Sequence, residues 1–575
     1  MFRDDKRRNK MKNKSVKVTL AAILSLSAVA PAVMASDSPE AKEKAGDPEM
    51  SSSKFMPPVP FPWDHPGKSS PVLHPGSARG AGMVEGPLNE IDGIMEEMID
   101  SRVMPGAVAL VARRGHIVKH EAYGMAYQYK DDGLTEADQP ISMAKDTIFD
   151  LASISKIFTT TAAMQLYEKG LFNLDDPVAD YLPEFAAGGK EEVTIRQLMT
   201  HTSGFTAWIP LYSQGNSRED RISIALQYPL ANEPGSTYTY SDLNMIALGA
   251  LIEKLSGKRL DEYVRDHITK PLGMKDTMYN PPESLKDRIA ATEYQPALGR
   301  GLVWGEVHDE NAWSLDGVAG HAGVFSTAGD LAKFAHMYVN EGTYGGKRIL
   351  KKETVRTLTE NQIPQFPGDD HGLGWELNQG WLGDALTDKD SLSHTGYTGT
   401  SVVISQKNDT IAILLTNRVH PTRNTVSTNG ARRAFARQVA DSIPVSIPGK
   451  QPAWFSGYGD NTEKSLTAEV DLHSQAVLSF ETWHRIEENS DYGYLEISAD
   501  GTNWTEVKSF TGNSESWSTV KAELPADTKL IRFRYKTDAT VNGRGWYLDN
   551  IKISPEKGKD IKPEFASEEW QKRSY

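Results

Sequence analysis

Cysteine is absent from all 575 residues, which excludes disulfides, thiolate metal centres and a cysteine nucleophile, and leaves stability to the core alone. Basic charge is also scarce, with 63 Lys and Arg against 77 Asp and Glu. Residues 1–35 hold eight of the basic and two of the acidic residues, so the remainder stands near −20 against −14 for the whole chain. Nucleic acid is therefore not an expected partner. The apolar run Val18 to Val29 is short for a membrane span and is interrupted by Thr19, Ser25 and Ser27. Arg7, Arg8, Lys10, Lys12, Lys14 and Lys17 precede it and Val33-Met34-Ala35 follows, so residues 1–35 are expected to be an export signal that is removed. The mature protein is then expected to be secreted and to associate with a cell wall, with no membrane span.

The length calls for at least two domains. Residues 36–82, crowded with Pro, Ser and Gly, read as an extended spacer. Leu88, Ile91, Met95 and Met98 then recur at helical spacing, followed by the apolar strand Ala107 to Ala112. Strand patterns at both ends of residues 83–447, with helical patterns between, predict an α/β or α+β sandwich whose sheet is assembled from distant segments. After Pro448, Ile531, Phe533 and Tyr535 alternate with charged residues, and Asp500-Gly501 marks a hairpin. Residues 448–555 are expected to form an all-β sandwich, and 556–575 a charged tail.

The stretch FDLASISKIFTTTAAM, Phe149 to Met164, sets Ser153 and Lys156 three residues apart at the start of an apolar helix. They share a helical face, at the end where the dipole favours developing negative charge, and a lysine of lowered pKa could take the serine's proton. Taken alone, S-x-x-K is a weak signal and reads first as an N-cap serine beside an exposed lysine. Two further phrases change that: Tyr240-Ser241-Asp242-Leu243-Asn244 before an apolar helix, and Ser393-His394-Thr395-Gly396-Tyr397 leading into the strand Ser401 to Ile404.

In this order the motifs resemble those of the penicillin-recognising serine hydrolases, in their class C β-lactamase-related branch. PGAVALVARRG, LMTHTSGF, GVAGHAGVFSTAGDLAKF and HGLGW add to the likeness, which covers about Met83 to Val445. The resemblance implies Ser153 as acylated nucleophile, Lys156 as its proton partner and Tyr240 as a second general acid or base. It implies an oxyanion hole from the backbone N–H groups of Ser153 and Tyr397. It also implies substrate binding by Asp242, Asn244, His394, Thr395 and Gly396, the glycine admitting close approach of substrate backbone. Two departures stand out: His394 replaces the usual lysine and Asp242 the usual asparagine, so efficient β-lactam hydrolysis is not expected. His308, Asp309, Glu310 and His321 match no metal-ligand spacing and are expected to line the cleft; His201 is expected to be structural, and no cofactor is expected for catalysis.

At finer grain, GEVHDENAW, HGLGWELNQGW and LLTNRVHPTRNTVSTN resemble the secreted N-acetylmuramyl-L-alanine amidases of Gram-positive cell-wall recovery. That implies muropeptide or peptidoglycan fragments as substrate and the lactyl amide as the scissile bond. The alternatives are a D,D-carboxypeptidase, penicillin-binding protein or esterase, and a cell-wall-binding protein with an inactive core. Residues 450–555 resemble the β-sandwich of immune-inhibitor-A-type metalloproteases. Asp549 is in phase with Tyr547, Ile551 and Ile553, so its carboxylate is expected to point inward, toward either a calcium ion shared with Glu488 or Asp491 or a backbone hydrogen-bond network. Most of its tryptophans are expected in the core, with binding of wall glycan the alternative. If the module only targets, removing residues 450–575 leaves turnover of soluble substrate intact.

Overall fold

The computed structural model describes residues 61–449 and 451–575; the expected export signal, residues 1–35, lies outside them. Eight strands form the central sheet: β1 (His74–Pro75), β2 (Gly106–Arg113), β3 (His116–Tyr129), β4 (Glu136–Ser142), β5 (Glu376–Leu377), β6 (Ser391–Thr395), β7 (Ser401–Ser405) and β8 (Thr410–Thr416). Their order is β1-β3-β2-β8-β7-β6-β5, with β4 on β3. Only the β1–β3 pair is parallel.

Strands β2 and β8 are buried along their whole length, and alternate residues serve two cores, as the two-residue period requires. Val108, Leu110, Ile411 and Ile413 face one, Ala109, Val111, Ala412 and Leu414 the other. The second core is closed by α1 (Glu85–Asp100), through Ile91 and Met95, and by α5 (Asn429–Asp441), through Phe435 and Val439. The first holds α2 (Ser155–Glu168), α3 (Asp242–Ser256) and α4 (Ala328–Val339). Helix α2 is buried on nearly every side because it runs through the middle of that core. Its threonines are tolerated there because their hydroxyls bond to carbonyls, Thr161 to Ile157 at 2.6 Å and Thr159 to Gly320 at 2.8 Å.

The C-terminal region is the expected antiparallel all-β module. Its strands are β9 (Ala453–Phe455), β10 (Glu463–Glu469), β11 (Ala476–Arg485), β12 (Tyr492–Ser498), β13 (Thr505–Phe510), β14 (Ser518–Leu524), β15 (Leu530–Lys536), β16 (Gly545–Pro555) and β17 (Gln571–Arg573). One sheet has the order β14-β11-β16-β9-β17 and the other β10-β15-β12-β13. Two terminal stretches depart from expectation. Residues 61–82 are not a free spacer: Trp63, Ala78 and Ala81 are buried against the second core, and Arg113 donates to the Phe61 and Gly82 carbonyls at 2.7 and 2.8 Å. The charged tail ends in β17, anchored by the buried Trp570. Composition missed both because one apolar anchor suffices to dock a polar segment.

The module also shares the second core, where Phe455, Trp483 and Tyr547 pack with Phe435 and Val439 of α5. At the end of α5, buried Asp441 receives Arg544 at 2.5 Å and Arg573 at 2.6 Å. Among the described residues, no helix is long and apolar enough to cross a membrane.

Candidate active site

The turn carrying Ser153 is strained and braced. The short strand Phe149–Asp150 pairs with Val324–Ser326, and the chain then passes through Ala152 at φ +46°, a conformation alanine avoids. Asp150 holds that turn, its Oδ1 accepting from the Ala152 N–H at 2.8 Å and its Oδ2 from the His308 N–H at 2.6 Å. The Thr398 and Thr400 hydroxyls donate to the Asp150 and Leu151 carbonyls at 2.7 and 3.1 Å, so the strand turn after β6 is tied to the serine's turn.

Lys156, one turn on, is wholly buried. Its Nζ donates to Ser153 Oγ at 2.8 Å and to the His321 carbonyl at 3.3 Å, and lies 2.9 Å from Asp242 Oδ1. It also sits 4.7 Å from the centre of the Tyr240 ring. Burial pulls the lysine's pKa down, but the Asp242 carboxylate and then Tyr240 outweigh it and hold the amine above its ordinary range. The expected lysine of lowered pKa is thus corrected: Lys156 is an ammonium in the resting protein. Burial pushes the Tyr240 phenol up, against the pull of Lys156.

The residues expected to touch substrate divide. Asp242 borders the cavity, but as the partner of Lys156. Asn244 is fully buried, with its Oδ1 accepting from Ser203 Oγ at 2.5 Å and its Nδ2 beside His201 Nδ1 at 3.2 Å, so it supports the loop from below. His394 is also buried, its Nδ1 directed at the Thr395 carbonyl at 2.9 Å; burial, reinforced by Lys156, lowers its pKa to about 3 and leaves it neutral. Thr395 is partly exposed at the end of β6. Gly396 is needed for a different close approach than the one expected: a Cβ there would stand 2.3 Å from the Leu151 carbonyl oxygen. The protein's own backbone fills that space.

A cavity of about 490 Å³ opens over Ser153, bordered by Trp208, Tyr240, Asp242, His308, Asp309 and Tyr397 among others. The Tyr397 side chain is 52% exposed, with its ring stacked near His308 at 5.8 Å. Glu310 and His321 border the same space, so this loop lines the cleft as expected. Asp242, Asp309 and His321 approach one another within 4.8 Å; His321 Nε2 pairs with Asp309 Oδ1 at 2.8 Å, and Asp242 is taken by the lysine. Behind Tyr240, His201 accepts the Ser241 N–H at 3.1 Å, a structural role as expected, and its ring lies 5.3 Å from that of His371. Glu376 stands near this group, and burial, opposed by Lys156 and Arg432, raises its pKa to about 7.

Sequence reasoning missed Asp150, Glu376 and Arg432, which donates from α5 to the Gly396 and Thr400 carbonyls at 3.2 and 3.0 Å. It also misplaced the carboxylate cluster of the sandwich. Asp549 shares the face of Tyr547, which packs in the second core, and a register shift between Asp549 and Lys552, with Asn550 at φ +48°, puts it out of phase with Ile551 and Ile553 of the sandwich core; it accepts the Gly449 N–H at 2.9 Å. Glu488 is exposed. The carboxylates that gather are Glu487, Asp491 and Asp538, with burial and mutual repulsion raising Glu487 to about 7 and Asp491 to about 6.

A serine just after a strained turn at a helix start, a buried lysine on its hydroxyl and a cavity above both define a serine hydrolase of the acyl-enzyme type. The chain belongs to the Beta-lactamase family, whose profile matches residues 91–437. It is 34% identical over 387 residues to a protein of Escherichia coli K12 named "Putative D-alanyl-D-alanine carboxypeptidase", spanning 61% of this chain and 86% of the relative. A protein of Salmonella typhi with the same name matches equally, at 34% over 387 residues. Among solved structures, EstCE1, described as a hydrolase with promiscuous acyltransferase activity, superposes with a TM-score of 0.50 at 22% identity. It covers 62% of this chain and 98% of its own. That likeness concerns the fold.

Proposed function

We propose that the protein hydrolyses an amide of peptidoglycan-derived peptides outside the cell membrane, through an acyl-enzyme at Ser153, and that the amide is the terminal D-alanyl-D-alanine bond. The name carried by its relatives supports this over the muramyl amidase first expected. The observation that carries it is Arg418. A carboxypeptidase must meet a free carboxylate, and neutral His394 cannot do so. The Arg418 guanidinium lies 5.8 Å from the centre of the Tyr397 ring and has no carboxylate partner among the described residues; its Nη2 reaches only the Arg423 and Thr425 carbonyls, at 3.3 and 3.4 Å. Arg423 borders the cavity but is held by Glu293 and Glu310, so in this reading Arg418, beside Tyr397 and outside the cavity lining, is the cation that takes the role of the missing lysine.

In this reading Ser153 Oγ attacks the carbonyl carbon, and the developing oxyanion is met by the N–H groups of Ser153 and Tyr397. Tyr240, protonated at neutral pH, gives its proton to the leaving nitrogen. The phenolate, stabilised by Lys156, then takes a proton from the water that releases the acyl group. The second reading, cleavage of the N-acetylmuramyl-L-alanine amide, is favoured by the exposed Trp208 at the cavity rim, an apolar face suited to a sugar ring.

Mass spectrometry of products separates the two. Wild type and Ser153→Ala are each given a muramyl pentapeptide ending in D-Ala-D-Ala. Loss of a single D-alanine by wild type alone supports the first reading. Release of the whole stem peptide replaces it with the second, and turnover by neither substrate route leaves the wall-binding alternative.

A further inference from the structure

We propose that Arg432 is a positioning residue for acyl transfer: from behind the oxyanion hole it fixes and polarises the Gly396–Tyr397 peptide, whose N–H is the second oxyanion donor. The inference rests on acylation at Ser153 with that N–H as donor, but not on which amide is cut. The Gly396 carbonyl and the Tyr397 N–H are the two ends of one planar amide, trans in this protein, so they point in opposite directions. Whatever holds the oxygen therefore aims the hydrogen. Arg432 Nη2 donates to that oxygen at 3.2 Å and to the Thr400 carbonyl at 3.0 Å. Tyr397 borders the cavity over Ser153, whereas neither Gly396 nor Arg432 does. The guanidinium thus stands on the far side of the amide from the substrate.

The other ties on this turn do not act in the same way. The Thr398 and Thr400 hydroxyls reach the Asp150 and Leu151 carbonyls and touch neither end of the amide. The Gly399 N–H meets the Gly396 oxygen at 3.0 Å, and the Gly396 N–H meets the Thr400 carbonyl at 2.8 Å, but both belong to the turn and move with it. Arg432 comes from α5, outside the turn, and its Nη1 is aimed by Asn429 Oδ1 at 3.0 Å.

The charge is the part that bracing alone does not explain. Arg432 is only 7% exposed. Burial and then Arg418 lower its pKa, against the pull of Glu376, but only to about 10, so it is a cation at neutral pH. Its hydrogen-bond partners are neutral carbonyl and amide oxygens. Burying a cation among neutral acceptors costs stability, and an uncharged donor would brace the two carbonyls as well. What the charge adds is polarisation. It draws electron density toward the Gly396 oxygen and makes the Tyr397 N–H a stronger donor. That gain is greatest where the acceptor is most negative, which is in the transition state rather than in bound substrate.

The test combines burst kinetics with a nitrophenyl ester, which give the acylation rate and the substrate dissociation constant, with the infrared stretch of the acyl-enzyme carbonyl, read with an isotope-labelled acyl group. Wild type, Arg432→Met, Arg432→Lys and Asn429→Ala are compared, with Ser153→Ala as the blank. Arg432→Met is expected to acylate about 10-fold more slowly, a fraction of the roughly 100-fold to 1000-fold that loss of a whole donor costs. Its substrate dissociation constant stays the same, and the carbonyl band moves to higher wavenumber as its hydrogen bond weakens. Arg432→Lys, which keeps the charge, restores most of the rate and of the band position. Asn429→Ala loosens the guanidinium without removing it, and covers the case in which Arg432→Met does not fold; it should slow acylation by a smaller factor and move the band the same way. Three results overturn the proposal: acylation by Arg432→Met at the wild-type rate, slower acylation with the band unmoved in Arg432→Met or Asn429→Ala, or a loss confined to substrate binding. Failure of wild type to form an acyl-enzyme would instead count against the reading of Ser153.

Discussion

Replacing Gly396 by alanine tests whether the tie between the β6 turn and the serine's turn controls the chemistry. A Cβ at Gly396 would lie 2.1 Å from Thr400 Oγ1 and 2.3 Å from the Leu151 carbonyl oxygen. Ordinary contact needs roughly 1 Å more on each. The threonine can rotate, though that forfeits its bond to Leu151, but a backbone carbonyl next to strained Ala152 cannot move freely. The strand turn must therefore retreat, carrying the Tyr397 N–H with it. Overpacking of this kind costs about 1–3 kcal/mol of stability, and a shift of about 1 Å in a catalytic donor costs about 100-fold in rate. The assay is burst and steady-state hydrolysis of a nitrophenyl ester alongside circular dichroism and thermal melting. A folded Gly396→Ala protein with kcat within about threefold of wild type would refute the reasoning.

Other perturbations address other links. Glu376 has a folded pKa of about 7, above its ordinary 4.5. Its contribution to stability is therefore fully present below pH 4.5 and is lost as pH rises through 7, by at most about 3 kcal/mol. Glu376→Gln should thus raise the melting temperature relative to wild type at pH 8 more than at pH 5, and an equal difference at both would count against it. Asp150→Ala removes both carboxylate bonds that hold the turn; labelling of Ser153 should fall at least tenfold while the far-ultraviolet spectrum is kept. Arg418→Gln should raise KM for a D-Ala-D-Ala peptide and not for the same peptide with an amidated C-terminus, and an equal rise for both would show that no carboxylate is met there.

How far the sequence could be read follows from what each motif encodes. That Ser153, Lys156 and Tyr240 come together was legible because they stand in short phrases on a helix or loop, and the alternation in β2 and β8 was legible because a two-sided sheet demands it. Burial was not. His394 and Asn244 belong to motifs, yet they lie beneath the cavity floor, and spacing alone does not say which side of a strand or helix faces substrate. The state of Lys156 was misjudged for a related reason: its charge is fixed by Asp242, which arrives from another helix. Asp549 failed because a bulge changes the phase of a strand locally, and Trp63 because a single buried anchor leaves no periodicity.

The core shared by the two regions changes what the C-terminal module can be. Helix α5 touches the carbonyls of Gly396 and Thr400 through Arg432, and at its far end Asp441 is clamped by Arg544 and Arg573 of the sandwich. Removing residues 450–575 would bare Phe435 and Val439 to water and leave Asp441 buried without its cations. The condition on which truncation was expected to leave turnover intact, a module that only targets, does not fit this shared core, and the truncation should instead lower turnover. Mechanically, α5 is a beam loaded at one end by the sandwich and bearing at the other on the turn that carries the Tyr397 N–H. The accessory module is then a foundation rather than a passenger, and the two regions should melt in one calorimetric transition and be inherited or engineered as a pair.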